Sequence, residues 1–318
     1  MNRANIALVL MIAVSAACKE KTVISIDGSS TVAPISMAVA EDFQRENSSA
    51  RVTVGISGTG GGFKKFCNGE IDLADASRAI KPEEIEACKA KGVEFIELAV
   101  AYDGLAVLVH PGNDWVKELT VDQLKKIFTS ENPAKTWKDV NPAWPAEAIK
   151  IYAPGKDSGT HDYFVEEILG KKKQIRPDSS FSESDNVLVT GISGDKNSIG
   201  FFGYAYYENN KEKLKLVPIV NPKTAKAVEP SLETVRTGAY SPLSRPLFLY
   251  VSVKSADKPE VKAYIEYYIT HAAKLSEQVG YIALPAPVYE KLKTRFSGKT
   301  TGSSFQGGHE GKPLEQIF

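Results

Sequence analysis

The stretch "TVISIDGSSTVAPISMAVAEDF", Thr22 to Phe43, sets the pattern from which the fold can be predicted. Its first residues are rich in β-branched side chains, alternate in polarity and end at Gly28, which is typical of a strand. The apolar residues that follow recur at helical spacing: Val32, Ile35, Val39 and Phe43. Small polar residues occupy the junction. The stretch therefore predicts a strand, a short loop and an amphipathic helix.

The same alternation continues along the chain. Further strands are predicted at 51–57, 71–77, 149–153, 198–203 and 247–253, and helices at 61–67, 82–91, 121–128, 259–273 and 287–296. The segment 95–111 is a long apolar β run, which we expect to be interrupted at Asp103-Gly104. Strands that alternate with helices predict an α/β protein whose mostly parallel sheet is covered on both faces.

Length and charge narrow the classes of function. A chain of 318 residues exceeds the usual size of a single domain, so two domains or one large α/β unit is expected. Lys and Arg number 39, and so do Asp and Glu. This balance gives no support to a nucleic-acid partner, which would need a basic excess. A negatively charged ligand would have to be bound by local geometry.

The N-terminus is typical of an exported protein. Arg3 precedes an apolar run, Ile6 to Val14, that is about half the length of a membrane-spanning helix. Residues 1–17 are therefore interpreted as a signal peptide. Cys18 resembles the acylated cysteine of a bacterial lipobox, which predicts a lipid-anchored protein in the periplasm or on the outer face of the cell membrane. Plain secretion and an uncleaved anchor are the alternatives.

The remaining cysteines are Cys67 and Cys88. In an oxidising compartment such a pair is a candidate disulfide, and two buried free thiols are the alternative. The four histidines are scattered and show no metal-ligand spacing. We expect neither a metal nor a cofactor.

Four loops of small polar residues follow predicted strands and precede predicted helices: Gly28–Thr31, Ser57–Gly62, Ala76–Arg78 and Asp157–Thr160. Ligands of open α/β sheets bind at such junctions. Each helix start offers unpaired N–H groups and a partial positive charge, which suit an anion. One such loop alone is more simply a helix cap. Four together, one of them with Arg78, predict an anion site.

Catalytic motifs fit the chain poorly. In Gly155–Gly159 the serine stands one place too late for a nucleophile elbow. Lys156 is followed by Asp157, whereas a P-loop has Ser or Thr after its lysine. We therefore predict a protein that is not an enzyme. A hydrolase of phosphate esters stays as the least favoured alternative.

Seven segments together resemble the phosphate-binding component of the Pst-type ABC importer, the PstS family: "IDGSSTVAP", "GISGTGGGFKKF", "IDLADASRAI", "PGKDSGTHDYF", "SESDNVLVTGI", "GFFGYAYY" and "PLSRPLFLYV". The resemblance extends from about Val23 to the tail. It implies a monomeric solute-binding protein with a two-lobed periplasmic-binding-protein fold of type II. Its ligand would be a buried inorganic phosphate and its partners the membrane permease subunits.

The resemblance also implies how the chain is divided. Each lobe would be a mixed, mostly parallel sheet flanked by helices, and two crossing strands would form the hinge. The chain would leave the first lobe near Tyr102–Leu105 and return near Ser241–Leu247. Lobe 1 would then comprise residues 22–102 and 245–318, and lobe 2 residues 103–244.

The implied phosphate ligands follow by position. Ser30 and Thr31, with Ser29 beside them, would donate from the first helix start, and Thr59 from the glycine-rich loop. From the opposite lobe the donors would be Ser158, Gly159 and Thr160.

Two positions depart from one branch of the family. Pro154 stands where that branch has an arginine, and Ser77 where it has an aspartate. Arg78 is the expected replacement cation, with Ser77 beside it in the site.

The resemblance leaves open which carboxylate accepts the proton of phosphate. Asp157 is the first candidate because it lies within the loop, and Asp103 and Asp185 are next. Sulfate has no proton to donate, so a site built around this hydrogen bond would reject it. A protein for another oxyanion, such as sulfate or molybdate, is the alternative, and it would need no such carboxylate.

Overall fold

The computed structural model describes residues 22–48, 50–156, 158–170, 173–182, 184–305 and 314–318. The signal peptide 1–17, the predicted lipidation residue Cys18 and the predicted acceptor Asp157 lie outside the described residues.

Strands and helices alternate through the first part of the chain, as predicted. The strands are β1 Thr22–Gly28, β2 Ala50–Ile56, β3 Leu73–Ala76, β4 Phe95–Val109, β5 Lys150–Pro154, β6 Ser180–Ser182, β7 Ser198–Gly203, β8 Lys215–Leu216, β9 Ile219–Val220, β10 Ala227–Val228 and β11 Ser244–Ser252. The helices are α1 Ala33–Glu46, α2 Gly58–Cys67, α3 Pro82–Ala90, α4 Val121–Phe128, α5 Trp137–Val140, α6 Gly159–Phe164, α7 Asp185–Ser193, α8 Tyr204–Glu208, α9 Leu232–Arg236, α10 Val253–Ala256, α11 Pro259–Gln278 and α12 Ala286–Ser297. A π-helical turn, Val165–Leu169, continues α6, and 3₁₀ turns lie at Lys211–Lys213 and Leu314–Gln316.

The sheet has two halves that share β4. In the first half the order is β2-β1-β3-β11-β4, and in the second it is β4-β7-β5-β6, with β8 also paired to β4. Parallel pairs join β1 to β2 and β3, and β5 to β6 and β7. Strands β4 and β11 are antiparallel to their neighbours. The predicted α/β fold, with helices packed against a mixed sheet, is confirmed.

Strand β4 runs without a break through both halves, and all fifteen of its residues are buried. It pairs with β11 as far as Gly104 and with β7 from Leu105 onward. The expected interruption at Asp103-Gly104 is therefore wrong. A Cβ at Gly104 would lie 2.9 Å from Val235, and Asp103 is paired with a partly buried arginine described below. Close packing and charge pairing therefore explain these two residues without a turn.

The loop after β1 lies against β3 because Gly28 has no side chain. Gly28 has φ +146°, and a Cβ there would meet the carbonyl oxygen of Asp75 at 2.1 Å. This close approach lets the N–H of Ser29 donate to the same carbonyl at 2.9 Å. The loop is followed by α1, whose predicted apolar face is buried through Ile35, Val39 and Phe43. The start of α1 is thereby fixed over the carboxyl ends of β1 and β3.

The cysteines of α2 and α3, Cys67 and Cys88, are joined by a disulfide with their Cα atoms 4.2 Å apart. Both residues are buried in the core. Helix α2 begins at the glycine-rich loop, and α3 follows the loop that contains Arg78. The bridge therefore joins the helices behind two of the four polar loops. Among the described helices, none combines the length and the apolar character needed to cross a membrane.

The bridge makes a prediction about stability. We expect the double variant Cys67→Ser/Cys88→Ser to lose about 3 kcal/mol of unfolding free energy, because the bridge restricts the unfolded chain. Urea denaturation with and without reductant measures this. Reductant should lower the stability of the wild type to that of the variant and leave the variant unchanged. A wild type that is insensitive to complete reduction would contradict the prediction.

Candidate functional site

A cavity of about 220 Å³ lies where loops of the first half of the sheet face α6 and the π turn of the second half. It is lined by Ser29, Ser30, Thr31, Gly58, Thr59, Gly60, Ser77, Arg78, Asp162, Tyr163, Glu166 and Arg245. The structure thus brings together three of the four loops that the sequence singled out. Six of the predicted ligand residues are in this set: Ser29, Ser30, Thr31, Thr59, Ser77 and Arg78.

The hydroxyl groups of these loops are within bonding distance of one another. The hydroxyls of Thr59 and Ser77 are 3.1 Å apart, and the N–H of Ser77 donates to Thr59 Oγ1 at 3.2 Å. In the first loop the N–H of Thr31 donates to Ser29 Oγ at 3.2 Å. Ser29, Thr31 and Ser77 are all buried. The starts of α1 and α2 are therefore lined with donors that a buried anion needs.

The two halves of the molecule touch across the cavity at Gly159. A Cβ at Gly159 would lie 2.6 Å from the Cα of Thr31. The hydroxyl of Thr31 donates to the carbonyl of Gly159 at 3.3 Å, and that of Ser30 donates to Asp162 at 3.1 Å. The start of α6 therefore closes directly against the first loop, as the position of Gly159 in the sequence led us to expect.

Arg245 on β11 is a cavity residue that the sequence analysis missed. Its Nη2 is 3.1 Å from Thr31 Oγ1 and 3.5 Å from the carboxylate of Asp103. Its guanidinium carbon lies 3.4 Å from the ring centroid of Tyr163, a cation–π contact. Its buried Nε has no hydrogen-bond partner among the described residues. Arg245 therefore brings a positive charge and an unused donor to the cavity.

Arg78, the cation expected from the sequence, lines the cavity but is already paired. Its two terminal nitrogens each contact a carboxylate oxygen of Glu84 at 2.8 Å. Burial would raise the pKa of Glu84, but the hydrogen bonds from Arg78 and from the backbone of Lys81 outweigh it and lower that pKa. The charge of Arg78 is therefore largely neutralised before any ligand arrives.

Asp103 is buried beside Arg245. Burial raises the pKa of its carboxyl group, and the neighbouring guanidinium of Arg245 opposes that rise only in part. Asp103 and Arg245 are direct partners in the register of β4 and β11.

The other predicted site residues lie elsewhere. Ser158 does not line the cavity; its Oγ accepts the N–H of Thr160 at 3.2 Å and caps α6. Thr160, Asp103 and Asp185 line a second cavity of about 350 Å³. Burial raises the pKa of Asp185 to about 6. Asp157 is outside the described residues. Among the residues that are described, no group of three or more His, Cys, Asp or Glu is placed to hold a metal ion.

A sheet in two halves that share strand β4, with a polar cavity between those halves, defines a solute-binding protein. A family model for the PBP superfamily domain matches residues 15–271. The chain belongs to this superfamily and, within it, to the family of the phosphate-binding proteins PstS. This confirms the resemblance drawn from the sequence.

Three similar proteins illustrate the relationship. Protein SphX of Synechococcus elongatus is 50% identical over 92% of this chain and 86% of the relative. The phosphate-binding protein PstS of Staphylococcus haemolyticus is 43% identical over 83% of this chain and 82% of the relative. The crystal structure of a possible phosphate binding protein from Planctomyces limnophilus is 42% identical, with a TM-score of 0.86 over 88% of this chain and 99% of that one.

The Asp103–Arg245 pair makes a prediction about pH. In Arg245→Met the buried carboxyl loses its counter-charge, so the pKa of Asp103 should rise further and stability should fall by about 3 kcal/mol near neutral pH. The unfolded chain gives up this proton near pH 4 and the folded chain only at higher pH, so unfolding free energy should decrease as pH rises above about 4. Urea denaturation between about pH 5 and 8 measures the slope.

Two further variants test this explanation. Arg245→Met/Asp103→Asn removes the titrating group and should lose the additional pH slope. Arg45→Met, at an exposed arginine on α1, should behave as the wild type. A pH slope for Arg245→Met equal to that of the wild type would show that Arg245 does not compensate the charge of Asp103.

Proposed function

We propose that this protein captures inorganic phosphate in the cavity between its two halves and delivers it to an ABC importer. The observation that supports this most strongly is that the hydroxyl-rich loops at the starts of α1 and α2 share one cavity with Arg245. The names of the relatives, phosphate-binding proteins at 40–43% identity, agree with it. Phosphate is a tetrahedral anion that such donors can surround.

The free-energy balance of binding a buried anion favours a site with many hydrogen-bond donors. Removing an ion from water costs several kcal/mol even after the protein relaxes. Each hydrogen bond to a charged group returns roughly 1.5–3 kcal/mol. About ten donors from hydroxyls, helix-start N–H groups and Arg245 could then leave the 8 kcal/mol that micromolar binding requires.

We propose Arg245 as the main charge partner of the ligand. Its Nε has no partner among the described residues, whereas both terminal nitrogens of Arg78 contact Glu84. Arg78 stays in the proposed ligand set, with Ser29, Ser30, Thr31, Thr59 and Ser77. From the facing loop, Gly159 touches Thr31, whereas Asp157, Ser158 and Thr160 stay ligand predictions from the sequence.

The halves of the molecule are proposed to act as lobes that close on the ligand. Residues 22–102 and 245–318 would form lobe 1, and residues 103–244 lobe 2. Strand β4 and the segment leading into β11 would form the hinge, since β4 exchanges partners at Gly104-Leu105. The contact of Gly159 with Thr31 would then belong to the closed form, which the permease subunits would recognise.

We further propose that the protein is a monomeric binding protein and not an enzyme. The hydroxyl of Ser158 caps α6, and Nδ1 of His161 lies 3.7 Å from the carboxylate of Asp162. Such an arrangement supplies no activated nucleophile. The N-terminal sequence supports export to the periplasm or the outer face of the membrane, with a lipid anchor at Cys18.

Titration calorimetry tests the ligand and the role of Arg245. Phosphate should bind once per chain with heat, and equimolar sulfate should give none. Arg245→Met should weaken phosphate binding about a hundredfold, because each lost hydrogen bond to the ion costs roughly 1.5–3 kcal/mol. Arg78→Met should have a smaller effect, since its charge is already paired with Glu84.

Controls separate binding from folding. Arg45→Met replaces an exposed arginine far along α1 and should bind phosphate normally. Arg245→Met/Asp103→Asn removes both members of the buried pair, so its weak binding cannot be ascribed to an uncompensated charge. Equal heats from phosphate and sulfate would refute the phosphate assignment, and full affinity of Arg245→Met would refute the role of that arginine.

Gly159→Ala tests closure of the lobes. The new Cβ would lie 2.6 Å from the backbone of Thr31 and should hold the loops apart. We expect weaker phosphate binding with little change in the melting temperature of the ligand-free protein, because an open form accommodates the methyl group. Calorimetry and thermal melts measure the two quantities. Normal affinity would argue against closure at this contact.

A further inference from the structure

A glutamate on β4, Glu97, anchors a segment of the chain close to the C-terminus. Its side chain is fully buried and does not line the cavity. One carboxylate oxygen accepts the N–H of Ser304 at 2.7 Å, and the other accepts the hydroxyl of Ser303 at 2.6 Å. Residues 302–305, called the C-terminal segment below, are therefore bound to the interior of the first half of the sheet.

Further contacts fix the position of the C-terminal segment. Arg295 on α12 donates from Nε to the carbonyl of Glu97 at 3.0 Å and from Nη2 to the carbonyl of Gly302 at 2.7 Å. The ring of Phe305 packs edge-on against that of Phe248 on β11, with the centroids 4.8 Å apart. Hydrogen bonds and ring packing together give the segment one defined place on the sheet.

Tyr250 on β11 connects this carboxylate with one of the polar loops. It lies directly opposite Glu97 in the register of the two strands. Its hydroxyl donates to Glu97 Oε2 at 2.8 Å and accepts the N–H of Ile80 at 2.8 Å. Ile80 belongs to residues 77–81, called the Arg78 loop below, which join β3 to α3. Because an ionised carboxylate only accepts hydrogen bonds, it directs the hydroxyl hydrogen to itself and leaves the oxygen lone pairs for Ile80.

The Arg78 loop reaches the cavity on its other side. Ser77 and Arg78 both line the cavity, and the N–H of Ser77 is bound to Thr59. The loop is thus held between Thr59 in front and Tyr250 behind. The ring of Tyr250 also packs edge-on against Phe63 of α2, the helix that begins beside Thr59, with the centroids 4.8 Å apart. Tyr250 therefore supports two of the loops that form the cavity.

We propose that the C-terminal segment positions the Arg78 loop for ligand binding, and that Glu97 and Tyr250 transmit its position. Both are positioning residues, since neither lines the cavity. The inference rests on the proposed function, because it names groups that determine how completely the same cavity is formed before phosphate arrives. If only about one free molecule in ten had the loop in place, the apparent affinity would fall about tenfold.

Removal of one hydroxyl tests the role of Tyr250. Tyr250→Phe keeps the ring but leaves the N–H of Ile80 without its acceptor. We expect phosphate to bind roughly tenfold more weakly in titration calorimetry. In the ligand-free protein the amide of Ile80 should exchange with solvent roughly tenfold faster, as measured by hydrogen exchange with NMR detection.

Tyr289→Phe is the matched control. The hydroxyl of Tyr289 on α12 likewise accepts a backbone N–H, that of Leu284 at 3.2 Å, and donates to an oxygen, the carbonyl of Val100 at 2.9 Å. Both variants lose a buried hydroxyl and should lower the melting temperature of the ligand-free protein, but only Tyr250→Phe should weaken phosphate binding. Unchanged affinity in Tyr250→Phe, or an equal loss of affinity in Tyr289→Phe, would overturn the proposal.

Ser303→Ala tests the part played by the C-terminal segment. It removes the hydroxyl that donates to Glu97 and leaves the N–H of Ser304 in place, so affinity for phosphate should fall by roughly threefold. Added to Tyr250→Phe, the same substitution should cause no further loss, because both changes act on one connection. Wild-type affinity in Ser303→Ala, or losses that add in the double variant, would show that the segment does not act through Glu97 and Tyr250.

The outcomes also separate the two levels of inference. No heat from phosphate with the wild type would refute the proposed function itself. Binding by the wild type together with full affinity of Tyr250→Phe would leave phosphate capture intact and refute the positioning role. Exchange of the Ile80 amide is measured without ligand, so an unchanged rate in Tyr250→Phe would refute that role whatever the ligand is.

Discussion

The pairing of Asp103 with Arg245 is the interaction on which the arrangement of the two halves depends. Asp103 lies in the middle of a strand whose fifteen residues are all buried, at the point where that strand leaves one partner for another. A carboxylate in such a place is costly unless a cation accompanies it. Arg245 supplies that cation from β11 and, through the same guanidinium, contacts Thr31 and Tyr163. One side chain therefore connects both halves with the cavity between them.

The cavity itself depends on close backbone approaches. Gly28 lies against Asp75, and Gly159 lies against Thr31, at distances that leave no room for a Cβ atom. These contacts bring the helix starts so near one another that their N–H groups and hydroxyls surround a single volume. Charge is balanced locally around that volume, with each arginine next to a carboxylate. Binding of an anion there would thus rely on directed donors more than on a positive field.

Most of the fold followed from periodicity, because strand and helix patterns are local. The sequence identified β1, α1, α3, α4 and α11, as well as the class of the sheet. It failed at Asp103-Gly104, where a charged residue and a glycine normally indicate a turn. The reason is tertiary: the partner of Asp103 is 142 residues away, and no local pattern reveals it.

The candidate site could be predicted only in part, because its loops are local patterns whereas the pairing of its arginines is not. Loops of Ser, Thr and Gly at strand ends are visible in the sequence, and three of the four share the cavity. Arg78 seemed the obvious cation because it lies in one of them, but Glu84, six residues further on, pairs with it. Arg245 lies within a β strand of ordinary composition. Its contact with Thr31, 214 residues away in the chain, places its side chain in the site.

The disulfide between α2 and α3 has a consequence for the compartment in which the protein reaches its final structure. Cys67 ends the helix that begins beside Thr59, and Cys88 lies on the helix whose Glu84 pairs with Arg78. Such bonds do not persist in a reducing cytosol. On the proposed route of export, packing alone would align these two helices before translocation, and the covalent tie behind the polar loops would form afterwards.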